Sequence, residues 1–318
     1  MFFSHKRSNI PPLSSVKLAP EMRQIQAIQT QLDRIESLIT APLSIEKLAL
    51  DASMSYWHFQ RTFTAMVGEP VGRYIRRRRI AHAAMRLLDY ESTLLDLALD
   101  YQFESHEAFT RAFKNELSVT PSDWREGRGS ILYPRHREHL TQAKLDQRYK
   151  NMRLLPEIVS LPSTTFAGLQ SRFLSATSDE ANNMTVIPNL WNAFFERASE
   201  LQNLTEGVYY GLSENPEAIN LARQHPDEAI YLAAAQVDPD APVPEGMHSW
   251  NSVGGLFAKF EHQGPVDTLG ETIAYIYGKW FPESEYKERE GPDINRFGPR
   301  FIPQSENSLF EIFVPISS

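Results

Sequence analysis

Cysteine is absent from all 318 residues, which excludes disulfides, thiolate nucleophiles and cysteine-ligated metals. Apolar runs are short. None approaches the roughly 20 residues a membrane span needs, and MFFSHKRSNIPP breaks its opening apolar stretch too early for a secretory signal. A soluble, cytoplasmic chain without a membrane partner is expected. Phosphate-cradling glycine loops and nucleophile elbows are also missing. HREH at 136–139 sets two histidines three apart with no third ligand in view. No metal, cofactor or catalytic centre is expected.

Charge is present but unevenly placed. The net charge is −8, yet residues 1–150 hold 22 Lys and Arg against 17 Asp and Glu, a balance of +5. Residues 151–318 hold 10 against 23, a balance of −13. A basic half points to nucleic acid, and the acidic half must do something else.

Texture divides the chain further. Residues 1–19 read as a flexible leader, 20–128 as helical, 129–153 as a charged linker, and 154–318 as strands alternating with helices. The first helix starts at Pro20 and lines Ile25, Ile28, Leu32, Ile35 and Leu38 along one side. The second half repeats itself: FAGLQSRF and VGGLFAKF each precede a helical stretch and two strands. The expected fold is an all-α domain with two helix-turn-helix units joined by a linker helix. An α+β domain of two pseudo-symmetric strand–helix–strand–strand repeats follows, with a cleft where the repeats meet.

The helical half writes one phrase twice: LALDASMSYWHFQRTF at 48–63 and LALDYQFESHEAFTRAF at 97–113. At 100° per residue, Phe59, Phe63 and Met66 gather on one side of the first copy's helix, with Trp57, Gln60 and Arg61 opposite. In the second copy Phe109 and Phe113 turn inward, with His106, Glu107 and Arg111 outward. The phenylalanines are core. Gln suits adenine, Arg suits guanine, and an apolar ring suits a thymine methyl. Ser55 and Ser105 stand as N-caps, bringing helix starts close to phosphates. Ser44 caps the preceding helix, without a capping box because Lys47 follows at the third position.

Between the copies, EPVGRYIRRRRIAHAAMRLLDY places Val71, Tyr74 and Ile75 on one side and Ile80, Ala83, Ala84 and Leu87 nearly opposite. A helix whose apolar stripe changes sides holds two bodies together. About 20 residues at ~1.5 Å give a strut of roughly 30 Å, close to the ~34 Å pitch of B-DNA. One polypeptide then enters two successive major grooves as a monomer. Its reading faces differ, so its site is asymmetric. Among Arg73, Arg76, Arg77, Arg78 and Arg79, some neutralise phosphates, Arg76 and Arg77 foremost, and at least one serves an ion pair within the fold.

LSIEKLALDASMSYWHFQRTFTAMVGEPVGRYIRRRRIAHAAMRLL and LLDLALDYQFESHEAFTRAFKNELSVTPSDWR resemble the AraC/XylS transcriptional regulators, over about residues 22–126. The resemblance implies base contacts from Trp57, Gln60, Arg61, His106, Glu107 and Arg111, activation, and RNA polymerase as a partner. Gln102 and Ser118 stand where that family has glycine, so strain is expected at Gln102 if its φ is positive. GPVDTLGETIAYIYGKWFP, EGPDINRFGP and the closing LFEIFVPI are similar to the GyrI-like effector-binding domain. The domain order resembles the right-origin-binding, or Rob, type.

That second resemblance implies a small amphipathic or cationic effector, with Glu311 as the cleft carboxylate. Asn295, Arg296 and Phe297 replace a pattern with one more acid. Alternation puts Glu311 on the face of Leu309 and Phe313, either solvent-facing or as a pocket charge with Trp191, Tyr209, Trp280 and Phe297. Two rival readings stay open: an acidic half that binds a protein without any ligand, and a hydrolase-like domain using Glu311 with a tyrosine.

Overall fold

The computed structural model describes residues 20–88, 93–128, 139–178, 180–202, 204 and 207–318. The leader and most of the HREH stretch lie outside them. The helical part runs α1 (Pro20–Ser37), α2 (Ile45–Asp51), α3 (Tyr56–Val67), α4 (Val71–Arg86), α5 (Leu94–Asp100), α6 (His106–Leu117) and α7 (Pro121–Arg125). A hydroxyl starts each short helix. Ser44, Ser55, Thr93, Ser105 and Thr120 each accept the backbone N–H three residues on, a contact worth about 1 kcal/mol per helix.

Both turns bend through positive φ at matching positions, Ser53 at 58° and Gln102 at 63°. The strain expected at Gln102 is therefore present. Its side chain is tied down as well, donating from Nε2 to the Thr40 carbonyl at 2.9 Å. Inner faces pack as the periodicity demands: Phe59, Phe63, Phe109 and Phe113 are fully buried in one core with Ile28, Leu32 and Ile35. Leu38 departs from its expected stripe because α1 stops at Ser37, and it lies exposed.

In α4, Val71, Tyr74 and Ile75 and then Ile80, Ala83, Ala84 and Leu87 are all buried. Its arginines divide their work. Arg78 grips Glu36 with two bonds, at 2.7 and 3.0 Å. Arg77 pairs with Glu69 at 2.7 Å, and Arg79 donates to the carbonyls of Ile39 and Ala41. Arg73 and Arg76 are exposed. So Arg77, expected on a phosphate, is engaged within the fold with Glu69.

After α8 (Gln142–Arg148) come β1 (Glu157–Leu161), β2 (Thr164–Leu174), α9 (Asn183–Arg197), β3 (Tyr209–Glu214), β4 (Glu228–Val237), β5 (His248–Ser252) and β6 (Gly255–Gln263). Next, α10 (Leu269–Tyr275) passes through a wide π turn at Ile276–Trp280 into a last turn at Phe281–Glu283. The chain ends with β7 (Lys287–Glu288), β8 (Asp293–Phe297) and β9 (Leu309–Ser317).

The strands pair antiparallel in the order β1-β6-β9-β8-β3-β4-β2-β5, with β7 beside β9. Two-residue links join β1 to β2 and β5 to β6, although each link must connect opposite ends of that order. The sheet therefore curls until its ends meet. At the meeting point a Cβ on Gly254 would fall 2.7 Å from the Ser163 nitrogen and 2.9 Å from the Leu161 carbonyl oxygen. Phe166, Leu212, Leu232, Trp250, Phe257, Ile294 and Phe313 fill the inside of the curl. Helices α9 and α10 cover the other face, over Ala167, Phe173, Tyr231 and Ala233 and over Phe260, Phe310, Ile312 and Val314.

Candidate nucleic-acid interface

The two helix-turn-helix units present their outer faces to different surroundings. On α6, Glu107 and Arg111 are exposed and His106 is half-buried. Together with Thr110, Lys114 and Asn115 they border one shallow depression. The Glu107 carboxyl is held below its ordinary range by its own backbone amide and by the Ser105 hydroxyl. It stays an acceptor, as the amino group of cytosine requires. This face is free among the described residues.

The outer face of α3 is covered by the sheet domain. Trp57 is only 8% exposed and packs with Ala167, Phe173, Phe194, Tyr231 and Met247. Gln60, 1% exposed, donates from Nε2 to Asp227 Oδ1 at 2.6 Å, and the Tyr56 hydroxyl donates to the same oxygen at 2.8 Å. His58 Nδ1 meets Glu288 Oε2 at 2.8 Å. Arg61 Nη1 reaches Asp293 Oδ2 at 2.6 Å and Glu288 Oε1 at 3.5 Å.

Arg61 also donates to the Tyr277 hydroxyl at 2.6 Å, and that hydroxyl donates onward to Glu288 at 2.5 Å. The guanidinium lies 5.1 Å from the Tyr277 ring centroid, close enough for a cation–π contact. Burial raises the Glu288 carboxyl, but His58 and Arg61 outweigh it and hold the group below its ordinary range. On Asp293 burial wins, and its carboxyl is raised despite Arg61.

The same docking continues along the C-terminal end of α3. Tyr149 Oη and Arg148 Nη1 donate to the Ala65 carbonyl at 2.9 and 2.6 Å. Gly278 approaches so closely that a Cβ there would stand 3.0 Å from Ala65 Cβ and 2.5 Å from the Tyr149 hydroxyl.

The residues expected in an effector cleft divide between the two sheet faces. Trp191 touches Phe297 edge-on at 5.4 Å and stacks on Phe195, which meets Tyr209 at 4.9 Å. Trp280 borders the same apolar cluster as Phe297, between Phe260 at 5.1 Å and Tyr286 at 6.2 Å. These four lie on the helix-covered face. Glu311 does not join them, because strand alternation sends it to the inside of the curl with Phe313. There Arg296 Nη1 holds it at 2.6 Å and Lys259 stands 3.9 Å away. The expected carboxylate among four aromatics is not assembled, and Glu311 is already answered by two cations.

Comparison with known proteins gives this arrangement its relatives. Residues 155–317 match the model of the GyrI-like small molecule binding domain, and residues 48–127 match a helix-turn-helix domain. The right origin-binding protein of Escherichia coli strain K12 is 30% identical over 284 residues, covering 87% of this chain and 92% of that one. The transcriptional regulator Rob of Salmonella typhimurium is 29% identical over 283 residues, with the same coverages. The multiple antibiotic resistance protein MarA of Escherichia coli strain K12 is 38% identical over 111 residues, covering 34% of this chain and 87% of its own. This chain belongs to the GyrI-like, Rob-type branch of the AraC regulators.

In this Rob-type chain, the residues missed at the sequence level are those that hold α3: Tyr56, His58, Asp227, Tyr277, Glu288 and Asp293. Tyr56 and His58 sat inside the repeated phrase but on no expected reading face. The others carry no local signal, since each lies in an ordinary polar stretch far along the chain.

Proposed function

We propose that the chain regulates transcription as a monomer on an asymmetric duplex, reading two adjacent major grooves with α3 and α6. Trp57, Gln60 and Arg61 read one groove, and His106, Glu107 and Arg111 the other. Arg76 contacts phosphate. Residues 20–128 form the DNA-binding unit, 129–153 the linker, and 154–318 a unit of two pseudo-symmetric strand–helix–strand–strand repeats. The latter reading draws support from a strand order that runs outward alike from β8 and β3.

The protein works in the cytoplasm, activates through RNA polymerase, and catalyses nothing. Its effector is a small amphipathic molecule lodged among Trp191, Tyr209, Trp280 and Phe297. A simple cation fits less well, because Arg296 and Lys259 flank Glu311.

The observation that carries the DNA reading is the pair of hydroxyl-capped helices on one strut, each with an inner face built on two phenylalanines and an outer face of base-reading types. Arg111 on α6 is the clean probe, since it takes no part in the α3 contacts. Duplexes selected from a random pool should bind Arg111→Ala about 1–3 kcal/mol more weakly, with preference relaxed at one base position. Uniform weakening across sequences makes Arg111 a phosphate contact. If neither the parent chain nor a variant whose α3 contacts to Asp227, Glu288 and Asp293 are removed selects a duplex, the reading is lost.

A further inference from the structure

We propose that the C-terminal domain holds the regulator closed by occupying the DNA-reading face of α3 with carboxylates that take the place of DNA. This rests on the reading of α3 given above and adds a regulatory device to it.

Three acidic residues between them bind four α3 side chains. Asp227 takes Gln60 and Tyr56, Glu288 takes His58, and Asp293 takes Arg61. Gln and Arg are the types that make paired bonds to adenine and guanine edges. Here their donors are spent on protein oxygens. Trp57 is sunk among Phe173, Phe194 and Tyr231. A helix face buried this way cannot enter a groove, so the closed form and DNA compete for one surface.

The composition of the contact marks it as reversible docking: its centre is polar and ionic, from Gln60, His58 and Arg61 with their carboxylates, whereas the inner face of the same helix packs Phe59, Phe63, Met66 and Val67 into the helical core.

The effector domain also has a lever on this contact. Tyr277, which bonds both Arg61 and Glu288, sits in the wide turn of α10. Three residues on in the same turn, Trp280 packs against Phe260 and borders the aromatic cluster of Phe297. Wide turns of this kind recur at functional sites. A molecule entering that cluster displaces the turn, withdraws Tyr277 from Arg61, and frees α3.

Two variants of the full chain open the contact by unrelated means and leave every DNA-reading residue intact. Asp227→Asn/Glu288→Gln/Asp293→Asn removes the carboxylate charges. Gly278→Leu drives a side chain into Ala65 and Tyr149 without changing any charge. Each is first checked for a single cooperative melt. Duplexes selected with either variant are then titrated against the parent and both variants at one salt concentration.

The expected result is at least tenfold tighter binding by each variant than by the parent, and no further tenfold gain when the changes are combined. The proposal is overturned if the parent binds as tightly as both variants. A gain for the carboxylate variant alone, with none for Gly278→Leu, also overturns it, because lost negative charge then explains the result. Failure of every form to select a sequence overturns the DNA reading itself, and this proposal with it.

Discussion

Glu214, at the end of β3, is a carboxyl strongly displaced in its proton affinity where α3 meets the sheet. Burial comes first among the causes, the carboxylates of Asp293 and Glu288 add to it, and the Asn215 amide opposes it. The net result is a pKa raised from an ordinary 4.5 to about 7. The folded chain thus holds this proton more tightly than the unfolded chain between about pH 4.5 and 7. Its contribution is fully present below pH 4.5 and is lost as pH rises through 7. Asp293 is raised too and acts in the same direction, whereas Glu288 is lowered and loses its contribution only on acidification. Thermal melts of the parent should fall between pH 5 and pH 7.5, and Glu214→Gln should flatten that slope. An unchanged slope means that Glu214 is not the group responsible.

Helix ends allow a second quantitative expectation. α3 closes on Gly68 at φ 89°, but α6 closes on Ser118 at φ 60°. Left-handed backbone costs an L-residue roughly 1–2 kcal/mol that glycine does not incur, and the Ser118 side chain is exposed and makes no hydrogen bond among the described residues. Ser118→Gly should stabilise the chain by about 1 kcal/mol in denaturant titration. No gain, or a loss, shows that the αL strain is relieved elsewhere. Gln102 offers no such clean comparison, because glycine there also removes the bond to Thr40.

These elements were the legible part of the sequence. Caps, the doubled phrase, the inner phenylalanines and the strand–helix alternation are local patterns, and they appear as read. The fate of the outer faces was not local. Gln60 and Asp227 are 167 residues apart and His58 and Glu288 are 230 apart, so no periodicity joins them. Glu311 illustrates the same limit in the sheet. Alternation placed it correctly beside Phe313, yet only the sheet's curl reveals that Trp191, Tyr209, Trp280 and Phe297 lie on the opposite face. Among the α4 arginines, the helical repeat alone could not say that Arg77 belongs to Glu69.

At the scale of the whole molecule, the charge imbalance between the halves acquires an internal meaning. The acidic half supplies the carboxylates that bind the outer face of α3. Under the proposal that closing and DNA binding exclude each other, the apparent affinity of the parent is its open-state affinity multiplied by the fraction open. The ratio between Gly278→Leu and the parent measures that fraction. A compound that stabilises the chain in thermal-shift screening and favours the open form should tighten DNA binding by the parent, by no more than this ratio. By linkage, DNA should tighten binding of the compound by the same factor. In Gly278→Leu, already open, the compound should leave DNA affinity unchanged. Paired titrations of parent and variant, with and without the compound, check this. An equal gain in both would mean that the effector acts on DNA reading by a route other than release of α3.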